Sequence, residues 1–202
     1  DRATVGHGLG VAPNMIIWKS RSAAENWVTY HSSLGATGNV YLNLTNGFSA
    51  DSTTQNNTSP TSSVFTVATS GAVNGSAKNI VAYCFAAVKG YSAMGSYTGN
   101  GSADGPFCYL GFRPRWLMWK RTDVAGDGWW ITDSTRNTYN VANLLLYAQS
   151  STSETTSSNT PVDYLSNGFK IRNGTDSSIN GAGGTYIWAA FAENPFNISR
   201  AR

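Results

Sequence analysis

Gly111-Phe-Arg-Pro-Arg-Trp-Leu-Met-Trp-Lys-Arg121 decides the reading of this chain, because an earlier stretch, Gly10-Val-Ala-Pro-Asn-Met-Ile-Ile-Trp-Lys-Ser-Arg21, has the same plan. In both, a Gly stands three residues before a Pro, an apolar run follows, and Trp-Lys closes it. Pro13 and Pro114 are 114 − 13 = 101 residues apart, and so are Trp18 and Trp119. Five further blocks match in unchanged order. Trp27-Val-Thr-Tyr-His-Ser32 matches Trp129-Trp-Ile-Thr-Asp-Ser134, and Val40-Tyr-Leu42 matches Leu144-Leu-Leu146. Val64-Phe-Thr-Val67 matches Gly168-Phe-Lys-Ile171, Asn74-Gly75 matches Asn180-Gly181, and Ile80-Val-Ala-Tyr-Cys-Phe-Ala86 matches Tyr186-Ile-Trp-Ala-Ala-Phe-Ala192. The offset drifts to 191 − 85 = 106 at Phe85/Phe191, five inserted residues that belong in loops. An ordered set of this kind points to duplication.

Most of these blocks read as strands. In Tyr186 to Ala192, alternate residues face opposite sides and both faces are apolar, as in an interior strand covered on both sides. The Trp116 to Trp119 run reads the same way, and Lys120-Arg121 mark where that strand returns to water. Val64-Phe-Thr-Val67 and Phe169-Lys-Ile-Arg172 carry polar residues on one face, as half-exposed strands do. Asn46-Gly47, Asn74-Gly75, Asn100-Gly101, Asn167-Gly168 and Asn173-Gly174 read as tight turns, since Asn and Gly tolerate positive φ. The only helical expectation is a turn or two at 20–26. Short strands with frequent turns predict an all-β fold, an antiparallel β-sandwich of jelly-roll or concanavalin-like type built from two tandem homologous repeats. The first repeat is expected over residues 1–94 and the second over 95–202, with Ser96 to Asn100 in the second repeat's first strand. The first repeat then lacks its own first strand, or takes it from another segment. The two copies are read either as two sandwiches or as halves of one. The Ser/Thr-rich stretches 49–63 and 150–160 are expected to be solvated loops, with a pair of recognition loops as the sharper alternative.

Composition narrows the function classes. Charged residues make up 12% of the chain against about 25% in an average soluble domain, with Gly, Ser, Thr and Asn in their place. The net charge of +3 comes from singly scattered Lys and Arg with no basic stripe, so nucleic acid is not an expected partner. No apolar run approaches the about 18 residues of a membrane helix. The opening Asp-Arg-Ala-Thr is neither a starting Met nor a signal peptide, so the chain is expected to be a processed or trimmed piece. The two cysteines, Cys84 and Cys108, lie in apolar runs and are expected to be buried thiols, not a bridge. Asn-x-Ser/Thr triplets begin at Asn43, Asn56, Asn57, Asn74, Asn100, Asn173 and Asn197, as chance supplies in so Asn- and Ser-rich a chain.

Catalytic material is thin. His7 lies in a Gly-rich turn, and His31 stands where the second copy has Asp133, which argues against a shared catalytic centre. Asp123, Asp127 and Asp133 flank Trp129-Trp130, and a glycosidase needs two carboxylates about 5–10 Å apart. Hairpin and strand-end duty is the expected role of all three. Asp123 to Gly128 has the look of a calcium loop but lacks the closing Glu. Gly6-His-Gly-Leu-Gly10 has no strand-then-helix context for phosphate. The expectation is a non-enzyme with no cofactor and no metal. Aromatics are the best candidate binders. Trp18 and Trp119 are expected in the core. Of Trp129 and Trp130, adjacent on a strand, one is expected to point inward and the other outward or into a groove. Tyr139 lies in the inserted turn 135–143. The candidate ligand or interface residues are Trp129, Trp130, Tyr139 and Asp127.

Gly8-Leu-Gly-Val-Ala-Pro13 with Met15-Ile-Ile-Trp-Lys19, Gly95-Ser-Tyr-Thr-Gly-Asn-Gly101, Gly105-Pro-Phe107, Gly111-Phe-Arg-Pro114, Leu165-Ser-Asn-Gly-Phe169 and Tyr186-Ile-Trp-Ala-Ala-Phe-Ala-Glu-Asn-Pro-Phe196 together carry a resemblance. The set resembles repeat modules in large structural proteins of tailed bacteriophages, marine ones especially, described as tail-fibre or virion-associated proteins with lectin-like β-sandwich modules. The resemblance spans nearly the whole chain and supplies no catalytic residues. It implies a non-enzymatic virion module of a tail fibre or a capsid or tail surface. Its implied partners are other virion proteins, further copies of itself and a host-surface glycan. The alternative expectation is a carbohydrate-binding, lectin-like module of a secreted or virion-associated protein.

Overall fold

The computed structural model describes residues 2–174 and 176–195. Thr175, Phe196 and the triplet at Asn197 lie outside the described residues. The chain divides into two compact units, Asp1–Ala86 and Ala87–Arg202. The division precedes the 94/95 boundary expected from the sequence, because the strand Ser92–Thr98 belongs whole to the second unit.

In the first unit, β1 (Ala3–Gly6), β2 (Met15–Ser20), β3 (Val28–His31), β4 (Gly38–Tyr41), β5 (Ser49–Ala50), β6 (Val64–Val67) and β7 (Ile80–Phe85) follow one another. They form a five-stranded sheet in the order β5-β4-β3-β2-β7 and a separate β1-β6 pair, all antiparallel. The repeated Pro-apolar-Trp-Lys block is β2, buried from Met15 to Trp18 on both faces. Its Ile16 and Trp18 join Val28, Tyr30, Phe65, Val67 and Val73 in one core, with Trp18 edge-on to Phe65 at 5.7 Å. Side chains from the five-stranded sheet and from β6 thus meet face to face.

The second unit holds β8 (Ser92–Thr98), β9 (Phe107–Tyr109), β10 (Pro114–Arg121), β11 (Trp129–Asp133), β12 (Leu144–Tyr147), β13 (Thr155–Thr156), β14 (Val162–Leu165), β15 (Gly168–Ile171) and β16 (Thr185–Ala192). Its larger sheet runs β13-β12-β11-β10-β16-β8, and its smaller one β14-β15-β9. The sequence blocks fall on equivalent places: β2 and β10, β3 and β11, β4 and β12, β7 and β16, β6 and β15. The larger sheets have the same order, except that β8 lies beyond β16 and no described strand lies beyond β7. Consequently β16 is interior and buried along most of its length, whereas β7 is an edge, half-buried except at Tyr83, which is 46% exposed.

Among the described residues, three one-turn helices interrupt the strands: α1 (Ser52–Gln55), α2 (Gly71–Asn74) and α3 (Ser177–Asn180). Each is started by a side-chain oxygen taking a backbone N–H, from Asp51, Ser70 and Asp176 respectively. Two expectations change as a result. Asn74-Gly75 and Asn180-Gly181 are helix ends and not tight hairpins; Gly75 has φ −69° and Gly181 φ −57°. The expected turn of helix at 20–26 is irregular chain instead. The stretch 49–63 is likewise not all solvated, since it contains β5 and α1 with Thr54 and Gln55 buried, and 150–160 contains β13 and the buried Thr160.

Candidate functional site

The end of β10 gathers Lys120, Arg121, Asp123 and Asp127 in the second unit. Lys120 pairs across the sheet with Trp129 on one side and Ile187 on the other. It does not return to water: it is 0% exposed. Its ammonium donates to the Asp127 carbonyl at 2.6 Å and lies 6.0 Å from the Trp129 ring centroid. Burial pushes its pKa down to about 8, against the pull of the Asp127 carboxylate. The first unit has the same device, with Lys19 donating to the Glu25 carbonyl at 2.7 Å. The strand that follows is clamped alike, by Trp27 N–H to Asn43 at 2.9 Å and Trp129 N–H to Gln149 at 2.8 Å. Both lysines therefore hold the loop between two strands.

Arg121 beside it forks onto both oxygens of Asp123, at 2.9 Å each, donates to the Ser177 carbonyl and lies over the Tyr186 ring. That fork holds the Asp123 carboxyl below its ordinary value, while Asp123 also accepts the Thr185 N–H. Asp127 differs. Burial raises its carboxyl, and its nearest cation, Arg121, is 4.0 Å away. Among the described residues no group of three or more His, Cys, Asp and Glu is placed to hold a metal ion.

Asp133 is at the far end of β11. Burial works to raise it, but the bonds and charge of Arg136 hold it below its ordinary value. Arg136 meets it at 2.5 Å and reaches Glu154 at 2.8 Å. This network anchors the turn 135–143. Asn137 takes the N–H groups of Asn143 and Leu144, and Asn140 exchanges two bonds with the backbone of Tyr164. On the pinned turn Tyr139 stands 85% exposed.

Of the four candidates from the sequence, Asp127 and Trp129 come together around Lys120, and Trp129 is 1% exposed. Trp130 is half-buried and packs on the core cluster with its ring edge-on to Tyr147 at 5.1 Å. Tyr139 alone is openly presented. His31 is buried and accepts the Ser33 N–H, and His7 bridges to the Thr61 carbonyl. Both cysteines are free. Cys108 is buried and its thiol is pushed up to about 12; Cys84 is half-buried, and burial raises it too. Sequence reasoning read Lys120 and Arg121 only as a strand end and passed over Arg136. One signal was present for the first: a lysine recurring after Trp at the same offset, inside a buried run, is a structural residue.

No characterised protein and no solved structure matches the chain. A family model does match, over residues 1–195 and so across both units, and the chain belongs to that family, DUF7483, described as a domain of unknown function.

Proposed function

We propose that this protein is a non-enzymatic structural module of a bacteriophage virion, on a tail fibre or on the capsid or tail surface, built as two tandem homologous β-sandwiches of jelly-roll or concanavalin-like type. The observation that carries the reading is the use made of the charged groups. Asp123, Asp133, Lys120, Arg121 and Arg136 hold loops to strand ends in ion pairs and carbonyl bonds. The shared order of the larger sheets and the paired Lys19 and Lys120 locks support the duplication. The phage assignment rests on the motif resemblance. Its partners would be other virion proteins and further copies of itself, and its place the exposed surface of the particle. Mass spectrometry of purified particles carrying the gene is expected to find the chain at structural stoichiometry. Its absence from intact particles rejects the assignment.

A glycan-binding role is the second reading, and one observation favours it: Tyr139 is an exposed ring on a turn held at both sides, pre-organised for stacking on a sugar. Glycan-array binding that disappears in Tyr139→Ala with unfolding unchanged is the expected result. Equal binding by the variant removes this reading.

A further inference from the structure

β7 and β16 occupy the same place in their sheets but end differently. Beyond β16, β8 adds seven antiparallel partners, from Thr185↔Thr98 to Phe191↔Ser92. Beyond β7 no described strand is paired. At the same corner of the first unit there is a cleft of about 230 Å³, lined by Val5, Trp18, Phe65, Val67, Ile80 and Ala82 among others. The matching positions of the second unit are Cys108, Trp119, Phe169, Ile171, Tyr186 and Trp188. There they close around Tyr97 of β8, whose ring stacks on Tyr186 at 4.7 Å and stands edge-on to Phe169 at 6.4 Å. Its hydroxyl donates to the Ile179 carbonyl at 2.7 Å. In the first unit Ile80 and Ala82 replace Tyr186 and Trp188, so the space is wider. Val5 is 41% exposed there, whereas Cys108 is 6% exposed.

We infer that the edge of β7 over residues 80–84 and the cleft beside it form an acceptor site for an extended peptide strand of β8's pattern, which adds antiparallel to residues 80–84 and seats an aromatic side chain between Ile80 and Phe65. The second unit shows what covers this corner of the plan. An unpaired edge strand offers a row of backbone donors and acceptors, and strand addition satisfies them. The cleft is smaller than the roughly 300 Å³ at which small-molecule sites begin, which suits one side chain better than a whole ligand. It has an apolar wall of Trp18, Phe65, Ile80 and Ala82 and a polar side with Asn74 and Lys78, so the side chain is an aromatic one with a polar tip, as Tyr97 is in the second unit. The inference concerns the sheet itself and stands whatever particle the protein serves.

The test uses the full chain and a synthetic peptide with the sequence of residues 91–102. Hydrogen exchange read by NMR is expected to show the amides of residues 80–84 that point away from β2 newly protected on peptide addition. Substituting alanine for the tyrosine at position 97 of the peptide is expected to weaken binding at least tenfold. Ile80→Asp, which puts a carboxylate on the wall against which the aromatic ring sits, is expected to weaken it to the same degree. Val5→Gln, at the exposed rim, serves as a second variant should Ile80→Asp unfold. No protection of β7, or binding unchanged by both variants, overturns the assignment. Sedimentation of the chain alone provides the other arm. A dimer that Ile80→Asp dissociates means that a second copy occupies the corner instead, and it overturns the assignment equally.

Discussion

Lys120 is a lysine in a place built for an apolar side chain, fully buried, with the Asp127 carbonyl, the Trp129 ring and the charge of the Asp127 carboxylate to receive its ammonium. Because its pKa falls from 10.5 to about 8 on folding, the folded unit binds fewer protons than the unfolded chain between those pH values. Stability from this group therefore rises with pH across that window and is lost as pH falls towards 8, a difference of about 3 kcal/mol. Urea unfolding of the second unit is expected to show this rise in the wild type relative to Lys120→Met. Cys108 acts in the opposite direction. Its thiol, pushed from 9.0 to about 12, makes folding less favourable as pH rises above 9, so the difference between the two proteins, and not the raw curve, isolates the lysine. A curve for Lys120→Met parallel to the wild type between pH 8 and 10.5 would refute the buried-ammonium account. Little of this was legible in the sequence. A lysine after an apolar run reads as a strand end in water, and only the fold of 122–128 over it makes it interior.

Among the elements, the hairpin β14–β15 is the most tightly specified. Leu165 pairs with Gly168 across the two-residue turn, and Gly168 also pairs with Tyr109 of β9. A Cβ at position 168 would overlap the Cys108 carbonyl oxygen, a backbone atom that cannot swing aside. Gly168→Ala is expected to destabilise the second unit by about 1–3 kcal/mol. Near-UV circular dichroism during thermal unfolding measures it, and an unchanged midpoint would show that β9 and β15 can separate freely. The strands were legible because short apolar runs and Pro, Gly and Asn punctuation are local signals, as in β2, β10 and β16. The helices α1, α2 and α3 were not. One turn is too short for a 3.6-residue pattern, and Asn-Gly at a helix end looks the same as Asn-Gly in a hairpin.

At the scale of the molecule, the described residues form two cores. One gathers Ile16, Trp18, Phe65 and Val67; the other gathers Leu117, Trp119, Phe169 and Ile171. Trp18→Ala and Trp119→Ala are each expected to cost about 3–5 kcal/mol, since both indoles are almost fully buried. Hydrogen exchange is expected to lose protection in β2, β3 and β6 for the first variant, and in β10, β11 and β15 for the second. Deprotection of both sets by either variant would contradict separate cores.

The order of the strands along the chain, their all-β character and the likeness between the two halves were all open to inspection in the amino-acid sequence, because each rests on neighbours a few residues apart. The fates of particular side chains were not. Trp130 and Tyr139 both looked like binders, yet one is packed against Tyr147 and the other stands in water. Ile80–Phe85 and Thr185–Ala192 align as equals, yet one is an edge and one is interior, according to whether a further strand pairs beyond it. Burial and edge exposure are set by partners tens of residues away, and no local pattern encodes where those partners lie.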